Sequence, residues 1–200
     1  GAGIAGIATA IRLRAAGNKV SVFEANSYPG GKLTSFTKQG YRFDMGPSLF
    51  TMPQFIEQLF EVAGKPVEDY FEYLKKDVVC NYFYEDGTTF SAFADKTLFA
   101  AQAAKTFDVS KKTILDYFEK SKLKYDLTAS LFLEKSLHKA STYFSKDTLK
   151  AIFNVNSLDL NTTLSAYNSK TFKDERLVQL YNRFATYNGS SPYQTPGIMS

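Results

Sequence analysis

The sequence predicts an α/β chain: a βαβ unit lacking its first strand, followed by a β hairpin and a long helical stretch. Three observations carry this. A Gly-rich turn at residues 1–6 leads into apolar residues at helical spacing and then a β-branched run ending at Glu24. Asp86-Gly87 lies between two β-rich runs. From Lys96 onward the apolar residues recur at helical spacing.

Gly1, Gly3 and Gly6 read G-x-G-x-x-G, and Ile4, Ile7, Ala8, Ile11 and Ala15 after them predict a helix with a buried face. Gly17 and Asn18 supply its stop. "KVSVFEA" predicts the next strand, which would be strand two of a nucleotide-binding βαβ unit. In such a unit the first glycine permits the tight turn, the second admits a pyrophosphate to the backbone, and the third lets helix and strand pack closely. Free amides at the helix start, with the helix dipole behind them, hold phosphates. Gly1, Gly3, Ile4, Ala5 and Gly6 are therefore the candidate phosphate-binding residues. Glu24, with Ala25 beside it, is the candidate ribose-binding position, and its carboxylate disfavours the 2′-phosphate of NADP. Small residues also let a helix lie close to a sheet, but helix, strand and glutamate in this order favour the nucleotide reading. The strand expected before Gly1 places the start of the chain a few residues into the unit.

In "EANSYPGGKLTSF", Gly30 and Gly31 allow a second close backbone approach, and Lys32 offers a cation to a phosphate. Alone, the segment reads equally well as a Pro-Gly-Gly turn with a solvated lysine. Residues 41–48 predict a strand followed by a turn. "TMPQFIEQLFEVAG" predicts an amphipathic helix through Phe55, Ile56, Leu59, Phe60 and Ala63, stopped at Gly64. "DVVCNYFYEDGTTFSAFA" predicts a hairpin turning at Asp86-Gly87.

Over 96–158 the helical stripe is read through Leu115, Phe118, Lys122 and Tyr125, and Ser145 is placed as the cap of "KDTLKAIF". Lysines 111, 112, 120, 122, 124 and 135 are assigned to a basic exterior. Asp174 is read as the cap of a last helix with the stripe Leu177, Leu180, Tyr181 and Phe184, ending before Gly189.

Composition narrows the function classes. The 44% hydrophobic and 22% charged residues are those of a globular chain, and a net charge of +4 falls short of a nucleic-acid footprint. Cys80 is the single cysteine, so no internal disulfide can form and a reduced, intracellular setting is expected. One histidine, His138, allows neither a histidine-containing metal cluster nor a Ser-His-Asp constellation beyond its own position, and it reads as a surface residue. The sequons at Asn161 and Asn188 read as coincidental in such a setting. Thirteen Tyr, eighteen Phe and no Trp fit a Phe-rich core or a surface for a long apolar ligand.

"GAGIAG", "VSVFEA" and "YPGGK" together resemble the flavoprotein amine oxidase superfamily, in which a paired glycine and a basic residue follow the ribose-binding glutamate and serve FAD. "GYRFDMGPSLFTMP" and "DERLVQLYNRFATYNGSSPYQTPG" are similar to segments of the bacterial-type phytoene desaturases and related carotenoid desaturases and isomerases. The resemblance implies a Rossmann-like FAD-binding part over 1–75, a substrate-domain hairpin over 76–95, a helical region over 96–188 and the start of a further strand over 189–200, with the two domains interleaved. It also implies that Gly46, Pro47 and Ser48 lie against the flavin ring. Where the family carries arginine after the paired glycine this chain has Lys32, which keeps the charge and loses bidentate geometry.

The implied activity is FAD-dependent removal of two hydrogens from a carotenoid or related isoprenoid polyene, or its isomerisation. The alternatives are a flavin amine oxidase, or a catalytically incomplete nucleotide-binding scaffold. No catalytic residue is assigned, because the family's tunnel-lining and C-terminal flavin segments have no counterpart in these 200 residues. An apolar polyene substrate and the basic helical exterior imply a cytoplasmic protein in peripheral contact with anionic lipid.

Overall fold

A computed structural model describes residues 1–47 and 49–200 of the chain. Contacts divide it into two compact units, Gly1–Leu74 and Lys75–Ser200.

The first unit opens on helix α1, Ile4–Ala15, which begins directly from the Gly-rich turn. It stops as the residues demand: Gly17 turns to φ 85° and the Asn18 amide donates back to the Leu13 carbonyl at 3.1 Å. Strands β1, Ser35–Lys38, and β2, Tyr41–Asp44, pair antiparallel with Phe36 opposite Phe43, and those rings stack with centroids 5.1 Å apart. Helix α2, Gln54–Val62, follows and packs on α1. Of its predicted stripe, Phe55, Ile56, Leu59 and Phe60 are half-buried and Ala63 is exposed.

Two expectations fail in this unit. No strand forms over 19–25, because no described segment lies alongside to form a ladder, and a strand exists only through its pairing. The α1 face is half-buried at Ile7, Ala8 and Ile11, with Ile4 and Ala15 exposed, since no sheet of the described residues lies beneath it.

The second unit is built on a hairpin of β3, Val78–Phe83, and β4, Thr89–Phe93, with Tyr82 opposite Phe90 and Phe83 opposite Thr89. The turn falls on Asp86-Gly87, as the sequence predicts, and Tyr84 and Thr88 close it by a 2.9 Å backbone bond. Alternation then sends Phe90 and Ala92 inward. Helix α3, Lys96–Thr106, packs on β4, and α4, Lys111–Ala129, packs on α3; each is started by a side-chain cap, Asp95 accepting from the Leu98 amide at 2.8 Å and Ser110 from the Thr113 amide at 3.0 Å. Phe90, 1% exposed, is the centre of the core, with Phe99 and Phe107 at 5.2 and 5.0 Å between ring centroids.

A π turn over Ser130–Glu134 ends α4, and the short α5, Ala140–Tyr143, and α6, Lys146–Phe153, follow. Ser145 caps α6 through the Thr148 amide, the role its position predicts. Helices α7, Leu164–Thr171, and α8, Glu175–Asn182, close the core, and Asp174 caps α8 through the Arg176 amide at 2.9 Å. Arg176 also reaches Asp86 and Thr88 at 2.7 and 2.9 Å, tying the hairpin turn to the start of α8.

The buried residues of α4 are Ile114, Tyr117, Lys124 and Leu127, whereas of the predicted Leu115, Phe118, Lys122 and Tyr125 only Phe118 is half-buried and the others are exposed. The difference has a cause. Tyr117 is drawn into a ring cluster with Tyr181 at 4.4 Å and Phe172 at 5.1 Å. Lys124, expected on the exterior, is 1% exposed and pairs with Asp159 at 2.9 Å, donates to the Gly197 carbonyl at 2.8 Å, and lies 4.0 Å from the Tyr167 ring centroid. A lysine goes inside when its charge is met there, which spacing cannot reveal. Beyond Gly189 the chain makes one bridge, Thr163 to Pro196, and a 3-10 turn at Gly197–Met199 in place of the strand expected from the resemblance.

Candidate functional site

Three separated sequence segments meet at the start of α1. The Gly30 amide donates to the Ala2 carbonyl at 2.7 Å, and Gly3 and Gly30 form a parallel bridge. From the other side the Glu24 carboxylate accepts a 2.6 Å bond from the Ala2 amide. The Gly-rich turn, the acid and the Pro-Gly-Gly turn are thus one structure, although 22 residues separate Ala2 from Glu24.

Two glycines make this approach possible. A Cβ on Gly6 would lie 2.0 Å from the Gly1 carbonyl oxygen, so the turn can fold back on the helix only with hydrogen at this position. Gly31, at φ 63°, would bring a Cβ to 3.1 Å from the Gly3 Cα. Gly3 is the N-cap of α1 and supplies no side-chain cap, and the first turn of the helix carries no acidic residue. The Ile7 amide is the first to bond within the helix, to the Gly3 carbonyl at 2.9 Å. The positive end of the α1 dipole, with the Ala5 and Gly6 amides, is therefore left for an anion.

Glu24 is held ionised. Its Oε1 accepts from the amide and the side-chain nitrogen of Asn26, both at 2.9 Å. These bonds, first that from the Asn26 amide and then that from Ala2, hold its carboxyl below the usual carboxylate range. One oxygen keeps spare acceptor capacity for a hydroxyl pair. Ala25 follows in the exposed chain between Glu24 and Asn26.

Gly31, Lys32, Gly46 and Pro47 line one cavity of about 450 Å³ together with Tyr28, Thr34 and Met45. Met45 reaches the site because its amide donates to the Thr34 carbonyl at 2.9 Å, extending the β1–β2 pairing past Asp44. Ser48, assigned with Gly46 and Pro47, lies outside the described residues. Sequence reasoning missed Asn26 and Tyr28. Asn26 had a legible signal, an amide side chain two residues after the acid, the spacing of local side-chain to backbone turns. Tyr28 had none.

These groups suit a nucleotide diphosphate: backbone amides at a helix start, an ionised acid beside them, and a lysine at the rim of the adjoining cavity. Among the described residues no group of three His, Cys, Asp or Glu side chains could hold a metal ion. No helix of the described residues is long and apolar enough to cross a membrane.

Residues 4–193 match the flavin containing amine oxidoreductase family. Over its whole length the chain is 56% identical to a 1-hydroxycarotenoid 3,4-desaturase from Flavobacterium sp. (strain P99-3), of which it covers 41%. It is 33% identical to a 4,4'-diapolycopene oxygenase from Methylomonas sp, covering 40% of that protein, and 30% identical to a phytoene desaturase from Fusarium fujikuroi, covering 35%. The chain thus spans about two fifths or less of the length of these relatives.

Proposed function

The chain belongs to the flavin containing amine oxidoreductases, and from that premise we propose that it is the FAD-binding and partial substrate-binding portion of an oxidoreductase that desaturates a carotenoid or related isoprenoid polyene. The observation that carries this reading is the bond from the Ala2 amide to Glu24, which sets the candidate ribose acid against the candidate diphosphate loop. The Rossmann-like assignment of this unit rests on the same convergence.

FAD fits the residues present. Its diphosphate would lie at the amides of Ile4, Ala5 and Gly6, beside the turn that Gly1, Gly3 and Gly31 allow to pack closely. Glu24 and the backbone at Ala25 would hold the adenosine ribose. Gly30 shapes the second turn, Lys32 would add positive charge near the phosphates, and Gly46 and Pro47 would face the ring system. Bound flavin would supply the hydride acceptor for dehydrogenation. The protein's part is to hold the diphosphate, fix the ribose and keep Glu24 charged.

The substrate class follows from the relatives, whose names specify a hydroxycarotenoid, a diapolycopene and phytoene. Peripheral contact with a membrane belongs to the same reading. Phe144 and Phe153, 83% and 85% exposed, lie on a segment with exposed Phe132, Leu133 and Ile152, and Lys139, Lys146 and Lys150 flank them. Flotation with anionic vesicles at low salt tests this part, and absence of lipid association would overturn it.

For the cofactor the test is reconstitution. The chain incubated with FAD and freed of excess should retain a yellow chromophore and quench flavin fluorescence. A colourless protein that leaves the fluorescence of free FAD unchanged would refute the proposal.

A further inference from the structure

An apolar cavity of about 300 Å³ opens in the second unit between the β3–β4 hairpin and the end of α8. Its walls include Val79, Ala92, Phe93, Phe118, Leu180 and Phe184. The lining also carries polar side chains, Tyr82, Lys96, Tyr181, Arg183 and Tyr187. Tyr181 is 4% exposed, and its hydroxyl has no hydrogen-bond partner among the described residues. The same holds for the Arg183 Nε. Arg183 is not idle otherwise, since its guanidinium lies 5.4, 5.2 and 5.7 Å from the ring centroids of Tyr82, Phe184 and Tyr187, which fix its plane.

Buried donors without partners are uncommon because each forfeits a hydrogen bond it would have in water. Two of them on one apolar cavity define a ligand: a hydrocarbon body for the walls and an oxygen for the donors. We propose that this cavity is the subsite for the oxygen-bearing end of an isoprenoid ligand, with Tyr181 and Arg183 as the groups that recognise a terminal hydroxyl or carbonyl. The inference deepens the proposed function and rests on its isoprenoid substrate class. A purely hydrocarbon end would leave both donors unpaired. Burial pushes the Tyr181 phenol far above its ordinary range, so it stays neutral and able to donate.

The test uses the 200-residue chain and two C15 probes that differ at the end group, farnesol and farnesene, in equilibrium dialysis. Farnesol should bind about tenfold more tightly, the worth of one well-made hydrogen bond to a buried donor. Tyr181→Phe, which deletes only the unpartnered oxygen, and Arg183→Leu should each bring the two affinities close to parity. Equal binding of the two probes by the parent chain overturns the subsite, as does a preference that survives Tyr181→Phe in a protein with unchanged circular dichroism. FAD binding is measured on the same samples: retained FAD with no alcohol preference refutes the subsite alone, and alcohol preference without FAD binding supports the subsite while refuting the flavin assignment.

Discussion

Glu24 accepts the Ala2 amide at 2.6 Å, so the acid that follows α1 closes the turn that precedes it. Asn26 secures the other carboxylate oxygen with two bonds at 2.9 Å. Glu24→Ala should therefore weaken FAD binding by about tenfold to a hundredfold, since it removes the ribose acceptor and frees the loop amide together. Flavin fluorescence titration measures this. The acidity is part of the same prediction. Because the folded carboxyl sits below its ordinary value of 4.5, its contribution is complete above that value and is lost as pH falls through the lower folded one. FAD affinity should hold from neutrality down to pH 4.5 and fall only below it, and Glu24→Gln should flatten that acid limb.

Gly6→Ala is expected to disable the loop without unfolding the second unit. The added methyl would lie 2.0 Å from the Gly1 carbonyl oxygen, and backbone, unlike a flexible side-chain end, has to move to relieve it. FAD affinity should drop at least about tenfold, the scale of a displaced phosphate-binding turn. Gly87→Ala, in a turn with no heavy atom near the added Cβ, should leave FAD affinity unchanged.

How far the sequence disclosed this arrangement depends on whether the determinant was local. The Gly-rich turn, the caps at Ser145 and Asp174 and the Asp86-Gly87 hairpin were legible because each is decided within a few residues. The buried stripe of α4 was not. Tyr117 and Lys124 go inside for partners that lie dozens of residues away, Asn168, Asp159 and Gly197. The strand expected over 19–25 is the converse case: its β-branched residues express a propensity that no neighbouring strand among the described residues converts into pairing. In the candidate site, glycines and the acid were readable as types, whereas Tyr28 and Met45 reach the cavity only through the path of the chain.

Lys124 is predicted to be a stability determinant of the second unit. Its ammonium meets Asp159, the Gly197 carbonyl and the Ser200 hydroxyl, the last at 2.5 Å, while burial pulls its pKa below the ordinary lysine range. Lys124→Ala should cost about 3 kcal/mol in urea unfolding, because it leaves Asp159 without its partner and the Gly197 carbonyl without its donor. Asp159→Asn added to that variant should cost much less than it does alone, since the two residues act as a pair.

Tyr181 and Tyr117 offer a paired comparison within one ring cluster, their centroids 4.4 Å apart. Both are buried, and burial raises both phenols. They differ in what the hydroxyl does. That of Tyr117 donates to Asn168 at 2.8 Å, and Asn168 in turn donates to Asn182 at 2.9 Å. That of Tyr181 has no partner among the described residues. Removing the first oxygen strands an acceptor in a connected network, so Tyr117→Phe should destabilise the chain by about 1–2 kcal/mol. Removing the second relieves an unmet group and keeps the ring, so Tyr181→Phe should leave stability unchanged or raise it by about 1 kcal/mol in the absence of ligand. Urea titration of the two variants reads opposite shifts in midpoint at constant slope. A midpoint for Tyr181→Phe as low as that for Tyr117→Phe would mean that the hydroxyl is satisfied in the ligand-free protein, and the reason for assigning it to a ligand would be gone.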